Sequence, residues 1–459
     1  MTKNAFSTLK ESIGKLKSQA LPDLVGSLGA KLPVDEIAQS KSHRTRNFTL
    51  TRTFWLFLYQ VLEGNLSLDI IVQIAKAWFL EMDNVSISSN TSAYSQARLR
   101  FPTPSLRKID QHIQDQFTPP PGFHGFHVKL VDGTGISVPD TPENRQNYHL
   151  HPKAGKCSGF PAFKLVGLFD HRTGVNLEWG MEDITTSDSA VYRLFWPHLK
   201  PNDLVVGDRH FCGFAYFVFL LKRGVQSMTR KHQTRKYQET VKRLGENDLI
   251  VKWKKPKDFP KWLSQEEWDT FPDSLQVREI TYNVQPKGFR TKSISIDTTV
   301  LDETISAGEW AELYFHRWKI ELNLRDIKIT MGMDMLKGKT PAIIEKEIFM
   351  YFIAYNLIRL LMSEAAEKNG VDLGKISFKS TITAIRVWGP ILGRTLENEQ
   401  YERLFDEFLK MIAYPRCRNR KNRSEPRARK RRPKNYQLLT GDRHEFKEIA
   451  HRSKYKKAA

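Results

Sequence analysis

Cysteine is scarce in this chain: Cys157, Cys212 and Cys417 are the only three in 459 residues. Thiols so few and so scattered exclude a disulfide framework and offer no zinc-ligand spacing, and they suit a reducing, cytoplasmic setting. Long apolar runs are missing as well. "FAYFVFLL" (214–221) is only a buried element, and "FIAYNLIRLLM" is interrupted by Asn356 and Arg359, so no membrane span and no membrane partner is expected. The start, "MTKNAFSTLKESIGKLK", lacks the uninterrupted apolar core of a secretory signal. Acid is also in deficit, with 51 Asp and Glu against 72 Lys and Arg, a net charge of +21. That imbalance points to a polyanion, nucleic acid first. It is uneven. Residues 416–434, "RCRNRKNRSEPRARKRRPK", hold eleven Lys and Arg against the single Glu425, a net of +10, which leaves +11 of the +21 for the rest of the chain. A basic tail of this kind occurs in many nucleic-acid-associated proteins and identifies none of them.

What is present is enough for two or three domains with a sizeable core: 40% of the residues are hydrophobic, among them 10 Trp and 27 Phe. The first 115 or so residues read as helical, with helix-compatible spacing over 5–18, 35–42, 52–63, 67–82 and 91–100. "SSNTSAYSQARLRF" opens on capping residues and then presents Arg98 and Arg100. Two readings of it stand: the second helix of a helix-turn-helix reader of the major groove, or one polar-faced member of a bundle. "TPPPGFHG" (118–125) is a linker. From 126 the pattern changes to strands. "FHVKLVDGTGISV" alternates around a turn at Gly133–Gly135, and "FPAFKLVGLFDHRTGVNLEWG" turns at Asp170–Gly174. "NDLVVGDRHF" gives a buried strand ending at Asp208, a helix follows, and then the strand "VQSMTR". The order fits a mixed sheet with helices packed on it. Residues 230–300 read as a β-rich insertion, and helices follow at about 306–332, 341–367 and 398–412.

One stretch carries an unusual charge arrangement. In "YFHRWKIELNLRDIK" (314–328), taken as one helix turning about 100° per residue, Tyr314, Arg317, Glu321 and Lys328 share a stripe about 60° wide, with Arg325 beside it. Leu313, Ile320, Leu324, Ile327 and Met331 flank it on one side, and Phe315, Trp318, Leu322 and Ile329 on the other. A charged stripe between two apolar ones suggests a polar seam in a cleft. The alternative is an exposed helix with Arg317–Glu321 and Glu321–Arg325 ion pairs four residues apart. Asp132 and Asp208 stand at strand ends, where a rigid sheet points them toward one rim. If Glu321 packs across that rim, three carboxylates converge, which requires a cation. All-oxygen donors favour Mg²⁺ or Mn²⁺, and two such ions suit phosphodiester chemistry. Taken singly, Asp132 also reads as a turn former and Asp208 as a helix cap. Asp297, Asp302 and Asp326 are competing acids. Asp326 falls about 120° from Tyr314, off the stripe.

The order Asp132, Asp208, Glu321 resembles the DDE transposases with a ribonuclease-H-like core. The spacing Tyr314, Arg317, Glu321, Lys328 resembles the signature of their IS4 family. "VDGTGI" and "VVGDRHF" are similar to that family's acidic blocks, "SAYSQARLRF" to its N-terminal block and "SEPRARKRRPKNYQLL" to its C-terminal ending. The resemblance implies an α/β fold with a ribonuclease-H-like mixed sheet, flanking helices, a β-rich insertion in the core and an N-terminal helical domain. It implies a helical end-binding domain over 1–117, a linker at 118–125, a catalytic domain over 126–385 and a C-terminal helical segment with basic tail over 386–459. Asp132, Asp208 and Glu321 would hold two Mg²⁺ ions, with Mn²⁺ substituting. Arg317 and Lys328 would hold DNA phosphates, with Tyr314 against that backbone, and Arg209, Arg325, Arg98 and Arg100 would add contacts. The expected function is transposition of a bacterial insertion sequence, with nicking at the element's terminal repeats and strand transfer into target DNA. A hairpin at the excised end, a homodimer on paired ends and a nucleoid-associated cytoplasmic location go with it. The rivals are a Mg²⁺-dependent nuclease without strand transfer and a DNA-binding derivative without chemistry.

Overall fold

The computed structural model describes residues 46–117, 121–150, 160–233, 239–283, 293–394 and 398–414, with Leu32, Val34, Pro119 and Arg235. The expected helices 5–18 and 35–42 and the basic tail 416–434 lie outside the described residues.

Nine strands form one sheet in the order β3-β2-β1-β4-β5-β9-β8-β7-β6. They are β1 (His127–Ser137), β2 (Ala162–Asp170), β3 (Asn176–Asp183), β4 (Asp203–Gly207), β5 (Gln226–Arg230), β6 (Glu239–Gly245), β7 (Asp248–Lys254), β8 (Ser274–Asn283) and β9 (Ser293–Thr298). β1, β4 and β5 run parallel, and the other pairings are antiparallel. The first five strands make the ribonuclease-H-like arrangement of a mixed sheet. The β-rich stretch does not form a separate body: β9 pairs with β5, so β6–β9 lengthen the same sheet. Composition explains the strand positions. "DLVVG" of β4 is buried throughout, as an inner strand covered on both faces requires. "ETVKRLG" of β6 is mostly exposed at the edge, where Lys242 and Arg243 discourage pairing with another chain.

Helices α1 (Leu50–Leu62), α2 (Leu68–Asp83), α3 (Ser92–Arg100) and α4 (Thr103–Gln114) form the N-terminal part. Thr49 and Ser67 cap α1 and α2 through their hydroxyls. The fourth helix was not expected, although Leu106, Ile109 and Ile113 place an apolar row on one face and are all buried. α5 (Phe214–Leu221) covers the far side of the sheet. α6 (Ala307–Phe315), α7 (Trp318–Arg325), α8 (Pro341–Asn369), α9 (Phe378–Arg394) and α10 (Asn398–Ala413) follow, and shorter helical pieces at Pro142–Asn147, Asp188–Tyr192 and Gln265–Asp269 lie between strands. α9, too, was absent from the expected helices.

α8 is long and apolar enough to cross a membrane by length and composition, yet 83% of that window is buried within the protein. Its polar residues are clamps. The side-chain amide of Asn356 donates to Asp110 Oδ1 and to the Asn176 carbonyl, both at 3.0 Å, and its oxygen accepts from the Asn176 amide at 2.9 Å. Glu347 accepts from the Lys337 and Gly338 amides at 2.9 and 3.1 Å and lies 3.5 Å from Arg98 Nη1. α1, α4, the sheet and α8 therefore share one core, and α2 and α3 pack in a separate cluster with Leu56 of α1.

Two expectations are corrected. The turn at Gly133–Gly135 does not form. β1 runs straight through it, and Asp132 pairs with Gly167 of β2. Gly133 is needed for close approach instead, since a Cβ there would lie 2.8 Å from the Asp188 carboxyl carbon. The turn at Asp170–Gly174 does form. Asp170 Oδ1 accepts from the Arg172 and Thr173 amides at 3.0 and 2.7 Å, and Gly174 takes a φ of +69°. The helix expected over 306–332 is also not continuous. It breaks at His316–Arg317, and the amides of Arg317, Lys319 and Ile320 bond three residues back, at 3.0, 2.9 and 3.1 Å. After Arg325 it widens into a π turn over Asp326–Thr330.

Candidate active site

Strand alternation decides which way the acids point. Leu130 on β1 and Val206 on β4 belong to the main core, whereas Val131 and Val205 belong to a second cluster on the other face. Leu130 pairs with Val206 in parallel register. Continuing two residues along both strands sets Asp132 opposite Asp208, both turned to the face on which Ile320, Leu324 and Ile327 pack. Glu321 sits in the first turn of α7, beside that edge of β1.

Arg317 joins two of the acids. Its Nη2 lies 3.0 Å from Glu321 Oε1 and its Nη1 3.4 Å from Asp132 Oδ2. Asp132 Oδ1 also accepts from the Gly133 amide at 2.8 Å. Burial pushes the Asp132 carboxyl up to about 6. The Gly133 N–H and Arg317 oppose that rise, and the charges of Asp208 and Glu321 add to it. Burial works against the charge on Arg317, yet Tyr314, Asp132 and Glu321 hold its pKa above the usual arginine value. Asp208 caps the short 3₁₀ turn Arg209–Phe211, as the capping reading expects, and also faces the site. Its oxygens accept from the His210 amide and lie against His210 Nδ1, each at 2.8 Å.

The remaining predicted residues divide. The Tyr314 ring is buried under Arg317, with 5.9 Å between ring centroid and guanidinium carbon. Burial pushes its hydroxyl up, Arg317 lowers it and nearby Asp208 raises it. Lys328, on the π turn, donates to the Gly135 carbonyl at 2.7 Å and to Thr134 Oγ1 at 3.2 Å, two to three residues along β1 from Asp132. Arg209 donates to Gln233 Oε1 at 2.8 Å. Arg325 is exposed and lies 3.3 Å from Asp326. Arg100 is exposed at the end of α3. Arg98 is not available to DNA in this structure. It is buried over the Phe57 ring and paired with Glu347, so its charge serves the core.

Among the competing acids, Asp297 points to the opposite face of the sheet, Asp326 is turned toward Arg325 and Thr330, and Asp302 holds the Thr304 turn. The flanking rows also differ from expectation. Leu313, Ile320, Leu324, Ile327 and Met331 are buried, but Phe315, Trp318, Leu322 and Ile329 face solvent, at 69%, 56%, 38% and 41% exposure. The charged stripe therefore borders an open apolar row rather than lying between two buried ones. His210 was missed, although Asp-x-His places an imidazole within reach of the carboxylate. Arg230 at the end of β5 was missed too. Its charge acts on Tyr314 and Tyr282, and its only sequence signal is an arginine closing a strand.

Among the described residues no group of three or more His, Cys, Asp or Glu side chains stands close enough together to hold a metal ion. The chemistry of the donors nevertheless suits one: three carboxylates without a thiolate favour a hard dication, and a guanidinium now supplies positive charge between two of them.

A family model for the transposase DDE domain matches residues 125–357. Transposase InsG for insertion sequence element IS4 of Escherichia coli (strain K12) is 26% identical over 363 residues, covering 75% of this chain and 77% of that protein. A probable transposase for insertion sequence element IS5377 of Geobacillus stearothermophilus is 34% identical over 73 residues, 16% of this chain and 19% of that one. A chain in the cryo-EM structure of the piggyBac transposase synaptic complex with hairpin DNA aligns over 86% of this chain and 84% of its own, with 12% identity and a TM-score of 0.44.

Proposed function

The chain belongs to the transposase DDE domain family, of the IS4 kind, and on that premise we propose that it nicks DNA at the ends of an insertion sequence and joins the freed strands to a target. The observation that carries this reading is the Arg317 guanidinium spanning Asp132 and Glu321, 3.4 and 3.0 Å away, at the rim where Asp208 ends the neighbouring strand. These three acids would hold Mg²⁺, two ions in the full site, with Mn²⁺ able to replace it. When bound there, the ions supply the positive charge that activates a water or a 3′-hydroxyl and steadies the leaving oxygen. The chain's own groups do the rest. Arg317 and Lys328 lie along the rim to take backbone phosphates on either side of the scissile one. Tyr314 packs beneath Arg317 and limits the positions it can reach. His210 orients the Asp208 carboxylate. Arg209 and Arg325 flank the rim as further phosphate contacts, and Arg100 lies on the exposed end of the helical N-terminal domain assigned to element ends. In this reading residues 1–117 bind ends, 126–385 carry the chemistry, and two protomers pair two ends in the nucleoid.

The test is a Mg²⁺-dependent assay on linear DNA carrying the element ends, followed for nicks and for joined products. Wild-type protein is expected to yield both. Nicks without joining would make it a nuclease, and binding without nicks a non-catalytic DNA-binding protein. Glu321→Gln is expected to lower nicking by more than about a hundredfold, since even outer-shell partners of a metal are worth roughly 10- to 100-fold. End binding by gel shift should persist, and a variant that cuts at the wild-type rate would remove Glu321 from the site.

A further inference from the structure

We propose that Arg317 is an exchangeable internal cation: it neutralises Asp132 and Glu321 in the free protein, and a DNA phosphate draws it away so that a divalent ion can take its place. The inference rests on the reading of these acids as metal holders. Three features of the site support it. The guanidinium touches both carboxylates at once, 3.0 and 3.4 Å away, and its side chain is only 17% exposed. An arginine cannot leave by losing its proton, so it must move away as a cation, and a second anion favours that move. Arg317 also lies at the junction where α6 stops and α7 begins, in a tight turn rather than inside a helix, so its backbone is not fixed by a continuous four-residue ladder.

Charge makes the exchange balanced. Asp132 and Glu321 share one guanidinium, so drawing it away leaves two carboxylates whose repulsion a divalent ion would relieve. Without DNA the cation between them is Arg317, and the acids are not gathered as a ligand set. A phosphate offers the guanidinium a bidentate partner in place of the two carboxylates. Metal binding and DNA binding then favour each other by the same factor, as linkage requires. The outcome is a site that stays closed to metal until a backbone lies in it.

The test measures Mn²⁺ binding from the free-ion EPR signal, using full-length protein with and without a pre-cut duplex ending at the element terminus. Wild-type protein is expected to bind Mn²⁺ weakly alone and about tenfold more tightly with the duplex. Arg317→Gln is expected to bind Mn²⁺ about tenfold more tightly than wild type in the absence of DNA and to gain little from adding it. Arg317→Lys keeps the charge but cannot bridge two carboxylates, so it should fall between the two. It provides the reading if the glutamine variant does not fold by circular dichroism. Weaker or unchanged Mn²⁺ binding in the folded Arg317 variant without DNA would overturn the exchange, because the arginine would then only position the acids. Asp132→Asn separates this from the underlying reading. If it leaves Mn²⁺ binding intact, the metal assignment itself fails. If it abolishes binding while the Arg317 variants behave like wild type, only the exchange fails.

Discussion

On one face of the sheet Asp132 and Asp208 lie beside Glu321, partly open to solvent and tied to side chains that have somewhere else to go. On the opposite face Thr229, Asp297 and Glu279 stand side by side on β5, β9 and β8. There Asp297 is fully buried, with Cys212 Sγ 3.7 Å from its Oδ2, and Glu279 is gripped by Lys231 at 2.6 and 2.7 Å. Asp297 Oδ1 finds no hydrogen-bond partner among the described residues. Burial, with help from the Glu279 charge, pushes the Asp297 carboxyl up to about 7, further than Asp132. If a perturbed acid were enough to mark a catalytic residue, Asp297 would be the stronger candidate. What distinguishes the first face is access. Asp208 and Glu321 border the solvent, with side chains 30% and 35% exposed, and a row of cations, whereas Asp297 is fully buried.

The sharpest way to break this comparison is to neutralise one acid on each face. Glu321→Gln should all but abolish nicking, whereas Asp297→Asn should leave it within about threefold of wild type, surface access being the only route to a phosphate. Equal losses would mean that both faces serve the reaction. The next largest effect concerns a buried cation. Arg98→Ala leaves Glu347 inside the core, its carboxyl already raised by burial, without its guanidinium partner. Loss of one member of a buried pair costs about 3–5 kcal/mol, to be read from urea unfolding. A cost below about 1 kcal/mol would return Arg98 to the candidate DNA contacts.

The pH dependence of stability tests the sealed face. With its folded pKa near 7 against an ordinary 3.8, Asp297 binds its proton more tightly in the folded protein than in the unfolded chain. Between about pH 4 and 7 the folded state therefore holds more protons, and stability falls as pH rises through that window, the loss being complete above 7. Asp297→Asn removes this contribution. Its melting temperature should decline less than that of wild type from pH 5 to 8, and parallel curves would show that Asp297 ionises freely.

The sequence makes one face of this comparison readable and hides the other. Asp208 is legible as the end of a short apolar run, whereas Asp132, read as a strand end, lies within β1, and the Tyr314–Arg317–Glu321–Lys328 spacing, read as one helical face, crosses a break and a π turn. Parallel pairing of β1 with β4 then does the long-range work, and nothing in either segment encodes that register. The helix break at His316–Arg317 has no Gly or Pro to announce it, so extrapolation at 3.6 residues per turn passes straight over it. The same assumption set Phe315, Trp318, Leu322 and Ile329 as an apolar flank of a cleft, and tertiary packing leaves them outside. Arg98 misleads for a different reason. An arginine near a helix end reads as a surface cation until its partner, 249 residues away, is known. Asp297 could not be assigned to either face without knowing that β9 joins β5.

The smallest predicted effect concerns the edge of the open face. Arg325 is 57% exposed in its side chain, and its contact with Asp326 is a surface pair between neighbouring residues. Such pairs contribute about 0–1 kcal/mol, so Arg325→Ala should leave stability within about 0.5 kcal/mol. If the duplex lies along the charged stripe beyond Lys328, this arginine meets one phosphate and releases about one counterion. Its removal should then reduce the slope of log affinity against log salt by about 1 and weaken all sequences alike. The slope is more informative than the affinity, because it counts phosphates whatever each contact is worth. An unchanged slope would place Arg325 off the path of the backbone. Contact on this helix would then be confined to Arg317 and Lys328, the two cations that already rest against the rim of β1.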